Sequence, residues 1–212
     1  LLQRNALLKH MYENGFFERE SIDVWNDQLL TTGNRIHQKR IAFLRDFIPV
    51  FQHHYNRIGL DTDEVTLEYR SQLNEAPFEE VLKQYERKDA VTQYTNAGTH
   101  KDDLLFLIKG HPVKKFGSQG QQKSFVIALK LAQFQIFLTH KKTKPVLLLD
   151  DIFDKLDDNR IEKLMKLVAD HRFGQLFITD ARPERSKAIL SEIDAESRFF
   201  LIEEGEISFW NL

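Results

Sequence analysis

The stretch Pro145-Val146-Leu147-Leu148-Leu149-Asp150-Asp151 decides the fold. Four consecutive apolar residues are the length of a strand, and two carboxylates close the run. Open α/β sheets take their ligands at the carboxyl ends of strands, so both acids stand where a ligand is expected. In nucleotide-hydrolysing proteins this arrangement is the Walker B motif. Its acidic residue holds a Mg²⁺ bridging phosphate oxygens, and the next carboxylate orients an attacking water. Asp150 is therefore the candidate metal ligand and Asp151 the candidate catalytic residue. Strands also end in aspartate because aspartate begins turns well, so the stretch alone leaves both readings open.

Some twenty residues upstream, Phe116-Gly117-Ser118-Gln119-Gly120-Gln121-Gln122-Lys123-Ser124 opens a long apolar-patterned helix. Glycine lets backbone approach a ligand, and a helix amino terminus offers unpaired N–H groups to a phosphate. The run is not a P-loop, which needs Gly, four residues and then Gly-Lys-Ser/Thr; no other stretch of the chain supplies that pattern. A Ser-x-Gly-Gln turn ahead of a Walker B strand is instead the order of an ABC-type signature, whose serine and helix end meet the γ-phosphate held by an opposite subunit. Ser118, Gln119, Gly120 and Gln121 are the nucleotide-binding candidates. The alternative reading is an ordinary glycine-rich helix cap. Downstream, Lys155-Leu156-Asp157 lies at the distance of a D-loop, although Asp157, Asp158 and Asn159 also suit helix capping. Thr179-Asp180 closes the next strand, where a switch residue near the γ-phosphate would lie.

Outward from these motifs, strands alternate with helices. Gln121–Leu138 and Asn159–Ala169 read as helices, and Val146–Leu149 and Gln175–Thr179 as buried strands. Glu184–Leu190 reads as a last helix before the closing strands Arg198–Ile202 and Glu206–Trp210. This pattern predicts a parallel sheet covered on both faces. Leu104–Lys109 and Val113–Phe116 suggest a hairpin about Gly110, and Val65–Tyr69 a strand. Ala76–Lys88 suggests a helix with Pro77 in its first turn. The first 58 or so residues read as two helices broken at Asn14-Gly15, a helical arm. Arg35, Lys39, Arg40 and Arg45 on that arm could touch DNA, or simply form its solvated face.

The composition excludes several classes. Among 212 residues there is no cysteine, which removes disulfides, zinc–thiolate sites and cysteine nucleophiles and suits a cytoplasmic protein. Thirty basic against 32 acidic residues give a net charge of −2, unlike a broadly basic nucleic-acid coat. No apolar run reaches membrane-helix length, so no membrane partner is expected. His53-His54 and His100 are metal candidates only on paper, and Asp61-Thr62-Asp63-Glu64 lacks the glycine and spacing of a Ca²⁺ loop.

Three stretches together resemble the RecF family, bacterial recombination-repair ATPases related to SMC proteins. They are Gly98-Thr99-His100-Lys101-Asp102-Asp103-Leu104, Phe116–Lys123 and Leu147–Asp157. The helical segment with Trp25 also resembles the arm inserted into the RecF head. Thr99 and Lys101 stand where the family form has Pro and Arg. The resemblance implies an α/β fold, part of an ABC/SMC-type ATPase head with flanking helices. Residues 1–95 would form a mainly helical arm, and 96–212 the carboxyl-terminal part of the head. It implies an ATP-dependent clamp with weak hydrolysis, acting in DNA repair and replication. Two copies would dimerise through ATP and Mg²⁺ on gapped or single-stranded/double-stranded DNA, with RecR and RecO-type partners. Asp150 would position Mg²⁺ and Asp151 the water. Ser118, Gly120 and Gln121 would reach γ-phosphate in trans, Asp157 would join the dimer contact, and Thr179 or Asp180 would be the switch.

The chain opens on Leu1 inside a helical pattern, which suggests a fragment lacking the P-loop segment. Such a fragment is expected to be inactive alone and to expose apolar surface or a strand edge. Two other readings are a non-enzymatic protein or DNA interaction module, and a Mg²⁺-dependent hydrolase built on Asp102, Asp103, Asp150 and Asp151.

Overall fold

Apolar residues at helical spacing and a Gly15 at φ +66° produce the opening corner of the chain. Helix α1 (Leu2–Glu13) ends at Asn14, and α2 (Arg19–Ile58) follows, with Leu8, Met11 and Ile22 packed in the angle between them. The computed structural model describes residues 1–59, 63–141, 144–150, 156–169, 175–182, 188 and 197–210. The chain divides into two compact units, Leu1–Ile48 with Leu67–Leu107, and Pro49–Thr66 with Ile108–Leu212.

In the first unit, α3 (Phe78–Thr92) starts one residue after Pro77, which serves as its N-cap rather than its first-turn residue. Phe78, Val81, Leu82 and Ala97 form the core, with Leu29 and Leu30 of α2 against them. Arg4 of α1 reaches Asp89 of α3, a buried ion pair that ties the two helices.

Strand β1 (Val65–Arg70), β2 (Asp103–Ile108) and the two-residue β3 (His111–Pro112) form one sheet in the order β1-β2-β3. Lys109 at φ 49° and Gly110 at φ 75° make the tight turn that a two-residue hairpin needs. The expected second hairpin strand at Val113–Phe116 is instead a one-turn helix, α4. Pro112 has no N–H for a ladder, and Gly117 N donates to Val113 O at 2.9 Å, closing a turn in place of a strand.

The second unit holds the motifs. Helix α5 (Gln119–Lys141) is followed by β4 (Val146–Leu149), α6 (Asp158–Ala169) and β5 (Gln175–Ile178). Strands β4 and β5 pair in parallel, Val146 opposite Gln175 and Leu149 opposite Ile178. Ile127, Leu131 and Phe134 of α5, Leu147 and Leu149 of β4, and Ile161, Leu164 and Met165 of α6 share one core. The other face of the pair departs from the expected two-sided burial: Val146 is 53%, Leu148 70% and Phe177 50% exposed. Apolar sheet surface therefore faces outward. Antiparallel β6 (Phe199–Glu203) and β7 (Glu206–Trp210) close the described chain around Glu204-Gly205. The expected helix at Glu184–Leu190 falls, apart from Ala188, outside the described residues. Among the described residues no helix is long and apolar enough to cross a membrane.

Candidate functional site

The Ser118–Gln121 turn is a reciprocal cap. Ser118 Oγ accepts from Gln121 N at 3.2 Å, while Gln121 Oε1 accepts from Ser118 N at 2.8 Å. This Ser-x-x-Gln box satisfies two donors that a helix start leaves orphaned, and it fixes the entry of α5. Gly117 is required here by close approach: a Cβ on it would sit 2.8 Å from Val113 O, which is backbone and cannot yield. Gln122 Nε2 donates to Gly117 O at 2.8 Å, adding a second strap. Ser118 and Gln119 are exposed, Gly120 and Gln121 half-buried, so the turn presents its outer face to solvent.

Beneath it lies Asp63, which the sequence patterns did not single out as a site residue. It is 4% exposed, and its Oδ2 accepts from Gln121 Nε2 at 2.9 Å and from the Tyr55 hydroxyl at 3.2 Å. Lys109 Nζ stands 3.6 Å from Oδ1. Burial, and then the charge of Asp63, push the Tyr55 hydroxyl well above its ordinary value, so it remains a donor. The Tyr55 and Phe51 rings pack on Phe125 of α5, at centroid distances of 5.9 and 4.6 Å.

The second cluster sits at the strand tips. Thr179 N donates to Leu149 O at 3.0 Å, carrying the parallel ladder one step beyond β5, and Thr179 Oγ1 donates to Asp150 Oδ1. Asp150 and Thr179 are thus brought together, both exposed, with Asp180 half-buried next in the chain. Asp151 and Lys155 lie outside the described residues. Asp157 caps α6: its Oδ1 accepts from Arg160 N at 3.0 Å, and Arg160 Nε lies 3.4 Å from Oδ2. An exposed carboxylate beside a hydroxyl offers hard oxygen donors of the kind Mg²⁺ takes. That ion keeps waters and phosphate oxygens in most of its positions, so one strand-tip carboxylate fits it.

Other candidates have structural employment. Arg40 donates to Thr99 O at 2.7 Å and to Asp102, which also accepts from the Tyr69 hydroxyl. Asp102 is therefore bound up in a local network, and Asp103 Oδ1 accepts from Leu104 N at 2.8 Å. Arg45 pairs with its neighbour Asp46 at 3.0 Å. His54 Nε2 meets Gln135 Oε1 at 2.7 Å, and His100 Nε2 meets Thr95 O at 2.9 Å.

The fold defines a class, an α/β architecture resembling the heads of RecF and SMC proteins. A solved structure of the recombination mediator protein RecF with ATP, from the RecFOR pathway, matches with a TM-score of 0.76 at 24% identity, covering 100% of this chain and 56% of its own. An SMC ATPase studied for ATP-driven dimerisation matches with a TM-score of 0.51 at 14% identity, covering 85% and 89%. No family model matches the chain. The DNA replication and repair protein RecF of Flavobacterium johnsoniae is 46% identical over 200 residues, 94% of this chain and 56% of the relative. That of Cytophaga hutchinsonii is 46% identical over 205 residues, 97% of this chain and 54% of the relative. The chain belongs to the RecF family, and it spans about half the length of the curated relatives it matches.

Proposed function

We propose that this chain carries the signature and Walker B portions of a RecF-like, ATP-dependent DNA-binding clamp in recombinational repair and replication. Residues 1–95 serve as the arm and 96–212 as the head portion. Asp150 holds Mg²⁺, Asp151 orients water, and the Ser118–Gln121 turn receives the γ-phosphate of a nucleotide bound by a second copy. Asp157 and Thr179 or Asp180 flank that contact. DNA and RecR and RecO-type mediators are the partners.

The observation supporting the trans arrangement is the exposure of the capped turn, whose Ser118 and Gln119 face solvent. A turn that faces outward is open to a nucleotide carried by a second head. The sequence itself contains no P-loop pattern.

The test joins the amino-terminal segment of the Flavobacterium johnsoniae relative to this chain and measures dimerisation with and without ATP by light scattering. ATP is expected to drive dimerisation, and Ser118→Arg to abolish it by filling the turn's outer face. Dimerisation that ignores ATP, or that survives Ser118→Arg unchanged, rejects the trans-signature mechanism.

A further inference from the structure

We infer that Asp63 is a positioning residue for the signature turn, acting through the side-chain amide of Gln121; its functional consequence rests on the reading above. An amide has two nearly isosteric ends, and a helix cap needs the oxygen to point at Ser118 N–H. A carboxylate only accepts hydrogen bonds, so Asp63 Oδ2 at 2.9 Å takes the Nε2 end and turns Oε1 toward Ser118 N, 2.8 Å away. Reversing the amide would set Oε1 against a buried carboxylate and Nε2 against an N–H, losing both contacts at once.

Asp63 is itself held. Tyr55 donates to the same oxygen at 3.2 Å, and Lys109 faces the other at 3.6 Å. The consequence lies in the turn. With Oε1 on Ser118 N and Gln121 N on Ser118 Oγ, the hydroxyl's own proton is directed away from the cap, available to an anion at the outer face.

The experiment compares amide hydrogen exchange at Ser118 and Gln121 in this chain and in four variants. Asp63→Leu and Gln121→Glu should each speed exchange at these two amides by about tenfold or more, the scale of a lost hydrogen bond to a charged group. Asp63→Asn retains an acceptor and should stay within about threefold of the unsubstituted chain. The double variant Asp63→Asn/Gln121→Glu restores one bond with its polarity reversed, the introduced amide now donating to the introduced carboxylate, and should recover most of the protection. Amides of 125–134 should not change. Unchanged exchange at Ser118 and Gln121 in Asp63→Leu, a uniform rise along α5, or no recovery in the double variant overturns the inference.

If Asp63→Leu fails to fold, Gln121→Glu and its rescue decide the matter. In the ATP-dimerisation assay, Gln121→Glu should raise half-saturating ATP by about tenfold and the double variant should reverse this, matching the exchange effect. If the unsubstituted protein shows no ATP dependence, the proposed function fails and exchange alone judges the role of Asp63. If ATP dependence is present but these variants leave it unmoved, the role in nucleotide engagement fails.

Discussion

Arg4 Nη1 donates to Asp89 Oδ2 at 2.8 Å, with the two side chains only 4% and 0% exposed. Neither charge relies on the other alone. Arg4 also donates to Thr95 Oγ1 and to Asn26 Oδ1, each at 2.8 Å, and Asp89 Oδ1 accepts from Asn96 N at 2.8 Å. Removing one partner leaves an uncompensated buried charge, so Asp89→Ala should cost about 3–5 kcal/mol. The joint change Arg4→Met/Asp89→Leu should cost clearly less than that single change. Denaturant titration checks both, and a loss under about 1 kcal/mol for Asp89→Ala contradicts the account.

Gly33 lies inside α2, where alanine would ordinarily gain about 1 kcal/mol. Here an added methyl falls on the ring of Phe78, closer than real Cβ atoms come to a neighbour. A Cβ on Gly98 would stand 2.7 Å from the same ring, so the phenyl has little room to turn aside. Gly33→Ala should therefore destabilise by about 1–3 kcal/mol, against its helix propensity. A rise in melting temperature would show that the ring can retreat.

Nucleotide affinity should be poor for the chain alone. The turn proposed to meet a phosphate would supply only part of its site, and the anion cradle and lysine of a P-loop are not in this sequence. Calorimetric titration of Mg²⁺-ATP should give no saturation in the micromolar range and no detectable hydrolysis. A low-micromolar Kd rejects this expectation.

The alkaline limb of stability should carry a tyrosine signature. Tyr55 and Tyr69 both have their hydroxyls raised above the ordinary value of 10.0, burial being the largest cause in each. The unfolded chain ionises these groups near the ordinary value and the folded chain only higher. Their contribution is therefore complete below about pH 10 and is lost as pH rises from there through the folded values. Tyr55→Phe should flatten the fall in stability above about pH 10 while costing about 1 kcal/mol at neutral pH through the lost bond to Asp63. An identical alkaline slope in the variant would remove Tyr55 from the explanation.

What the sequence disclosed follows from how far each signal reaches along the chain. The Val146–Leu149 strand, the long helix after Ser118 and the break at Gly15 rest on neighbouring residues, and all three are present. The alternative of a helix cap at Ser118 was legible for the same reason, since Ser-x-x-Gln is a four-residue pattern. Asp63 with Gln121, Arg40 with Asp102 and Arg4 with Asp89 lie 58, 62 and 85 residues apart, and periodicity carries no record of such pairings. The misplaced strand at Val113–Phe116 has a different origin. Its composition suits either state, and only the closure onto Gly117 selects the helix.

Strand β4 is apolar at every position, with Leu147 and Leu149 inward and Val146 and Leu148 outward. Sliding it by one residue would exchange leucine for leucine or valine on both faces, so hydrophobic burial scarcely distinguishes the two alignments. Polar punctuation does: Asp150 receives the Thr179 hydroxyl, and Leu149 O receives the Thr179 amide at 3.0 Å. The acid proposed to hold magnesium is thus also a stop that keeps the strand from slipping. Asp150→Ala would blur alignment and chemistry together, whereas Asp150→Asn keeps an oxygen for Thr179 and separates the two.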